Sequence, residues 1–274
     1  MAGANKNASE DIDMLLANIE DLIDASEKGI ASASCFVNPR ERFFVQKRLE
    51  RNGAVKRCTF WGGYDGAERC RLLVFPEFAQ GMLEELRTEE RIGYFTELSD
   101  ETPVSIVEIR ASGFKALSHR DYMGSILALG IERSAVGDIV VKENAAYIFA
   151  SPIIAKYIEA ELKKVGSDGV KVALTDTLPL GFTGGAQKEK ISSTVSSPRL
   201  DAIAAALLNL SRNDAQELIR RGEAELNYTE CAECDRTVYD GDVVSFRGYG
   251  KFRILSFGDL TRRGRIRLEA EKYK

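Results

Sequence analysis

The stretch that most constrains this chain is Arg199–Gly222, RLDAIAAALLNLSRNDAQELIRRG. Leu200, Ile203, Ala204 and Leu207 recur at helical spacing and make one apolar stripe. Asn209-Leu210-Ser211 is a tight break. Ser211 stands where an N-cap belongs, and Asp214, three residues on, brings a carboxylate to the helix N-terminus. Ala215, Leu218 and Ile219 are the buried stripe of a second short helix, and Gly222 suits the left-handed residue that ends it. Arg212, Gln216 and Arg220 recur every four residues, so they share a face, with Arg221 beside them. A guanidinium row on a capped helix suits phosphates, because Arg offers a planar fork to anionic oxygens.

A small sheet is expected next. Ala224-Glu225-Leu226-Asn227 reads as a short strand, Asp240-Gly241-Asp242 as a turn, and Val243–Phe246 as a second strand. The series RLD, LSR, A-x-x-L-I-x-x-G, a strand ending in Asn, and GDVV resembles the S-four RNA-binding domain, named after small-subunit ribosomal protein four. In that family the two helices and the following hairpin form one RNA-binding surface. The resemblance implies RNA contacts from Arg199, Ser211, Arg212, Gln216, Arg220, Arg221 and Asn227. For any one arginine alone, a solvated helix face is the plainer reading.

At 274 residues there is room for two or three domains, and 44% hydrophobic with 29% charged residues is ordinary soluble composition. The net charge of −4 argues against bulk, sequence-blind attraction to nucleic acid. The balance is uneven. Residues 198–274 hold 14 Lys and Arg against 13 Asp and Glu, whereas residues 1–197 hold 24 against 29. Lys251, Arg253, Arg262, Arg263, Arg265 and Arg267 make the end of the chain basic. RNA binding should therefore be local and shape-directed. The first residues do not read as a signal peptide, and no run approaches the roughly 20 apolar residues of a membrane span. Five cysteines, unevenly spaced in a chain too large to need disulfides, suggest a reducing cytoplasm, or a plastid stroma after removal of a transit peptide.

The expected fold class is α+β. Residues 1–98 form an N-terminal α/β region. A helix runs from about Ser9 to Lys28 with Ile12, Leu15, Leu16, Ile19, Leu22 and Ile23 as its stripe. A second is announced by Asn38-Pro39 and stops at Gly53. Strands near Val55–Trp61 and Cys70–Phe75 flank a glycine-rich turn, GGYDGAER. Residues 99–180 read as βαββαβ, the ferredoxin-like arrangement that RNA-recognition domains also use. Its parts are a strand at Val104–Arg110, a helix at Ser118–Leu129, a hairpin about Glu143-Asn144, a helix from Ser151-Pro152, and a strand at Val170–Leu174. Tyr147 and Phe149 share a face of the third strand, but without an RNP signature they read as core. Residues 181–197 read as a mobile tether in which Ile191–Val195 could form an edge strand, and residues 198–274 as the S-four domain.

The combination HRDYMGSILALGIER…GDI, with GGYDGAERCRLLVFP upstream and the S-four pattern downstream, resembles the bacterial and plastid YlmH family from about Phe36 onward. That resemblance implies an RNA-binding protein acting on large ribosomal subunits that carry a stalled peptidyl-tRNA, in ribosome-associated quality control. A link to cell division has also been attached to the family. The implied partners are large-subunit ribosomal RNA, tRNA and the ribosome, with no membrane, and a monomer off the ribosome. Ser118, His119 and Arg120 at a helix start offer a second anion contact, or else a cap with a salt bridge.

No catalytic residue, cofactor or metal is expected. The single histidine, His119, is too few for a histidine-rich metal site or a hydrolytic triad. His119-Arg120-Asp121 lacks the asparagine that a kinase loop needs five residues after the Asp, where Ile126 stands. Pseudouridine synthases carry an S-four domain beside a catalytic domain, but Asp201 lies inside the RNA-binding helix. Cys231 and Cys234 supply only two of a zinc site's four ligands, so they read as loop cysteines. Alternative roles are an accessory factor in RNA modification or ribosome assembly, and a protein-interaction adaptor using the acidic N-terminal helix.

Overall fold

Consecutive apolar residues in a strand must be covered on both faces. Leu72-Leu73-Val74-Phe75, all fully buried, decides the N-terminal architecture in this way. The computed structural model describes residues 2–113, 116–143, 145–184 and 188–273. The chain begins with α1 (Ala2–Ser26), β1 (Ser32–Val37), α2 (Pro39–Asn52), β2 (Cys58–Trp61), β3 (Cys70–Val74), α3 (Gln80–Glu85) and α4 (Thr88–Ser99). The strands form an antiparallel sheet in the order β1-β3-β2. Leu72 and Val74 pack with Leu16, Ile19 and Ile23 of α1 and Val45 and Leu49 of α2. Leu73 and Phe75 pack on the other side with Leu83 of α3 and Phe95 of α4. Asn38 caps α2 as expected, its Oδ1 accepting from the backbone of Arg40 and Glu41 while Glu41 accepts from the Asn38 N–H. Gly53 closes that helix at φ +69°, in the left-handed region. Strand β1 and helices α3 and α4 were not anticipated, and Val55 lies in a short turn before β2.

The chain continues through β4 (Ser105–Ala111), α5 (His119–Ala128), β5 (Val136–Val141), β6 (Ala146–Ala150), α6 (Pro152–Glu161), β7 (Lys164–Val165) and β8 (Asp168–Thr175). The antiparallel sheet has the order β5-β6-β4-β8-β7. Val107, Ile109, Ile148 and Val136 face α5 and α6. Leu127 of α5 is exposed, and Tyr122 and Ile126 are its buried residues. The expected hairpin joins β5 to β6, although Asn144 lies outside the described residues.

These two sheets belong to one compact unit, Met1–Gly185, so the boundary expected at residues 98 and 99 does not separate two such units. The reason is the GGYDGAER turn. Asp138 of β5 accepts hydrogen bonds from the Tyr64 hydroxyl at 2.6 Å and from the backbone N–H of Glu68 at 2.8 Å and Arg69 at 3.1 Å. The Arg69 guanidinium donates to the carbonyls of Val136, Phe36 and Arg133. Gly137 allows the contact, because a Cβ there would lie 2.6 Å from the Phe36 ring. The turn is thus an internal dock.

The second unit, Ala186–Lys274, contains β9 (Lys188–Val195), α7 (Leu200–Leu208), α8 (Arg212–Arg220), β10 (Ala224–Leu226), β11 (Thr229–Glu230), β12 (Val243–Phe246), β13 (Gly250–Leu260) and β14 (Ile266–Tyr273). Its antiparallel sheet runs β11-β10-β12-β13-β14-β9. The tether reading gives way here to the edge strand expected at Ile191–Val195, which begins three residues earlier, at Lys188. Lys188 to Val195 pairs with β14 along its whole length, and buried Val195 joins the core with Leu268 and Ala270. Alternation of Ile191, Ser193 and Val195 against polar neighbours supplies the strand pattern that glycines and serines around it obscured. Residues 185–187 lie outside the described residues. The basic end of the chain is the long β13–β14 hairpin, which puts Phe252 and Ile254 in the core and Arg253 and Arg267 on the outer face.

Candidate RNA-binding interface

The two short helices of the second unit meet as their stripes require. Leu200, Ile203, Ala204, Ala215, Leu218 and Ile219 are all buried in one core with Val244, Phe246 and Phe252. Ser211 caps α8, its Oγ accepting from Asp214 N at 3.2 Å and donating to Asp214 Oδ2 at 2.7 Å. Gly222 takes φ +71°, and Glu223 N reaches back to Leu218 O at 3.2 Å, which closes the helix.

Within this frame Asp201, in the first turn of α7, is fully buried. Its carboxylate accepts five hydrogen bonds. Arg199 donates through Nε and Nη2, both at 3.2 Å. Arg212 donates through Nε at 3.2 Å and Nη2 at 3.1 Å, and Gln216 through Nε2 at 2.7 Å. Burial opposes the charge, yet these donors outweigh it and hold the carboxyl down to about 2. The guanidiniums remain partly open, at 40% exposure for Arg199 and 46% for Arg212. Arg220 extends the row by donating to Gln216 Oε1 at 3.4 Å.

The expected row of free arginines therefore divides. Arg199, Arg212 and Gln216 form one clamp on Asp201, Arg220 is attached to it through Gln216, and Arg221 pairs instead with Glu223 at 3.4 Å. Asn227 is placed elsewhere. It and Tyr228 take φ +50° and +65°, the left-handed pair of a tight two-residue hairpin between β10 and β11. Its side chain donates to Asp242 Oδ1 at 2.8 Å and accepts from Val243 N at 3.0 Å. Asn227 is thus a turn residue with its amide occupied. Sequence reasoning missed Asp201 as the organiser. The available signal was a lone carboxylate in the apolar run LDAIAAALL.

The Cys231–Cys234 loop has a structural task. Cys234 O accepts from Asp201 N at 3.0 Å, and Arg236 O from Leu200 N at 2.9 Å, so the loop satisfies the N-terminal amides of α7. Both thiols are free. Among the described residues no group of three or more His, Cys, Asp or Glu side chains could hold a metal ion.

In the first unit Ser118 precedes α5 and donates to Asp121 Oδ2 from its backbone N at 2.8 Å and from its Oγ at 2.7 Å. Desolvation and the nearby Arg133 charge lower the His119 pKa, and Asp138 acts weakly the other way. His119 and Arg120 are exposed. Tyr147 and Phe149, by contrast, are buried in a cluster with Tyr64 and Phe182.

Comparison with known proteins places these sites in context. Residues 99–178 match a family model described as a putative RNA-binding domain in YlmH. A relative from Bacillus subtilis (strain 168), named ribosome-associated protein quality control protein P2, is 28% identical over 240 residues, covering 87% of this chain and 86% of the relative. A solved structure described as cell division protein ylmH from Streptococcus pneumoniae is 20% identical, with a TM-score of 0.44, covering 64% of this chain and 93% of that one.

Proposed function

We propose that this protein is an RNA-binding factor that acts on the ribosome in ribosome-associated quality control. The observation that carries the reading is the match to the Bacillus subtilis quality-control protein, because it extends over 87% of the chain and so runs through both units. The RNA-binding family model on residues 99–178 supports it. So does the strand order β5-β6-β4-β8 around two helices, the pattern of ferredoxin-like and RNA-recognition domains. The helix pair with its guanidinium clamp, followed by a small sheet, supports an S-four domain as the second RNA element.

In this reading the protein docks on a large subunit that carries peptidyl-tRNA. It works as a cytoplasmic monomer by recognition alone, with no bond made or broken. Asp201 pre-orients Arg199 and Arg212, so their outer N–H groups meet phosphate oxygens with little further ordering. Among the described residues no helix is long and apolar enough to cross a membrane.

The test is sucrose-gradient sedimentation from lysate at low and high salt, with sequencing of the co-purifying RNA. Enrichment of large-subunit ribosomal RNA together with tRNA is expected. Protein remaining at the top of the gradient at both salts, with no RNA enriched, would sink the reading. The informative variant is Arg220→Glu, because Arg212→Glu would also set a second carboxylate against Asp201.

A further inference from the structure

Domains of βαββαβ order commonly bind RNA on the open sheet face, where aromatic side chains stack on bases. Here the chain fills that face itself. Tyr64 packs on Phe149 with ring centroids 4.7 Å apart, and Phe182 meets Tyr147 at 5.4 Å and Phe149 at 6.1 Å. Lys142 fastens the covering segment, with Nζ donating to Thr183 O at 2.7 Å and lying 5.2 Å from the Phe182 ring centroid. A base cannot stack where these rings already touch.

The helical side of the same sheet carries a different opening. A groove lies between α5 and the segment that runs from the end of α6 through β7 to Gly166, lined by Arg120, Gly124, Ser125, Lys163, Lys164 and Gly166. Gly166 N donates to Ser125 Oγ at 3.2 Å, which fixes the turn between β7 and β8 against the helix. The floor is made of small residues, and a Cβ added at Gly124 or Gly166 would meet nothing within 4 Å. A chain can therefore approach the backbone closely. Arg120 comes from one wall and Lys163 and Lys164 from the other, and all three are exposed. Two acids, Asp121 and Glu161, share the lining. Arg120, Lys163 and Lys164 against Asp121 and Glu161 leave the lining net positive by one charge, and Asp121 Oδ2 is engaged by the backbone N–H and hydroxyl of Ser118.

We propose that this groove, with Arg120, Lys163 and Lys164 as its cations, holds the sugar–phosphate backbone of RNA. The inference rests on the RNA-binding reading above and assigns the surface of the central sheet domain that serves it. Contact is through phosphate and not through base stacking, so it follows RNA shape and is sensitive to salt.

The probe is ribosomal RNA freed of protein, titrated with the full chain between about 50 and 200 mM salt. Replacing the three cations together by glutamine (Arg120→Gln, Lys163→Gln, Lys164→Gln) should weaken binding about 100-fold or more at the lower salt and clearly less at the higher. It should also flatten the dependence of log affinity on log salt by about 2, as expected for two or three lost phosphate contacts. Phe182→Ala should leave that slope unchanged. An unaltered slope in a triple variant that melts like wild type would overturn the groove. So would tighter binding by Phe182→Ala, which would return the site to the sheet face. A triple variant that keeps naked RNA but leaves the ribosome would assign the groove to a ribosomal protein instead. Groove-dependent RNA binding by a chain that never sediments with ribosomes would sink the ribosomal reading and leave the groove standing. Wild type that binds no ribosomal RNA at any salt would remove both.

Discussion

Two aspartates organise this protein, and they do opposite things with the same carboxylate. Asp138 takes its hydrogen bonds from the Tyr64 hydroxyl and from two backbone N–H groups of the glycine-rich turn. The neighbouring Arg69 turns inward and gives its guanidinium to backbone carbonyls. Asp201 takes its bonds from side chains of which the two guanidiniums stay partly exposed. The first carboxylate fastens two sheets together. The second holds two guanidiniums in a fixed orientation while leaving them available. The donors, not the acid, separate a structural hub from the proposed recognition surface. Backbone amides have no further valence to offer, whereas an arginine fork bound on one edge keeps donors on another.

The comparison can be broken at several points. The largest expected effect is at the dock. A Cβ at Gly62 would lie 2.4 Å from Ala67 Cβ and 2.5 Å from the Arg69 carbonyl oxygen. Gly62→Ala should destabilise the first unit by about 3 kcal/mol or more, measured by chemical unfolding. Asp138→Ala strands two half-buried N–H groups and the Tyr64 hydroxyl, and about 3 kcal/mol should be lost. It should not change the salt dependence of RNA binding, and a changed slope would mean that the dock also contacts RNA.

Asp201→Asn comes next, with a loss of about 2 kcal/mol in the second unit, since both guanidiniums lose their charged acceptor. RNA affinity should fall together with stability. If affinity is unchanged, the clamp does not orient the arginines for binding. Acid titration sharpens the same point. Asp201 ionises at lower pH when folded than when unfolded, so its contribution is complete above the unfolded range near about pH 4. It is lost as the pH falls through the folded value of about 2. The wild type should show this loss in unfolding midpoints followed across the acid range, and Asp201→Asn should lack it. The smallest stability effect belongs to Arg220→Glu, less than about 0.5 kcal/mol for a surface change. That variant should nonetheless lose ribosome sedimentation, and normal sedimentation would mean that the α8 face is not the contact.

Particular elements show where sequence reasoning held and where it stopped. Helix α2 could be bounded from its own residues, because Asn38, Pro39, Glu41 and Gly53 carry local hydrogen-bond and backbone chemistry. The helix pair α7 and α8 was readable for the same reason. Strand β9 was legible only in part, at Ile191–Val195, because glycine, serine and charge around it resemble a tether, and only pairing with β14 gives its alternation an inner face. Asn227 reads as the end of a strand in sequence, yet its left-handed backbone and its bond to Asp242 place it in a turn.

The sequence by itself determined the local elements and the location of the arginines, since caps, stripes and i to i+4 spacing act within a few residues. Tertiary structure alone decided what those residues bond to. The pairing of Arg199 and Arg212 on Asp201 requires the packing of α7 on α8. The covering of Tyr147 and Phe149 requires Tyr64 and Phe182, which lie dozens of residues away in either direction. Such contacts depend on where the whole chain brings its segments, and no spacing along the chain encodes them.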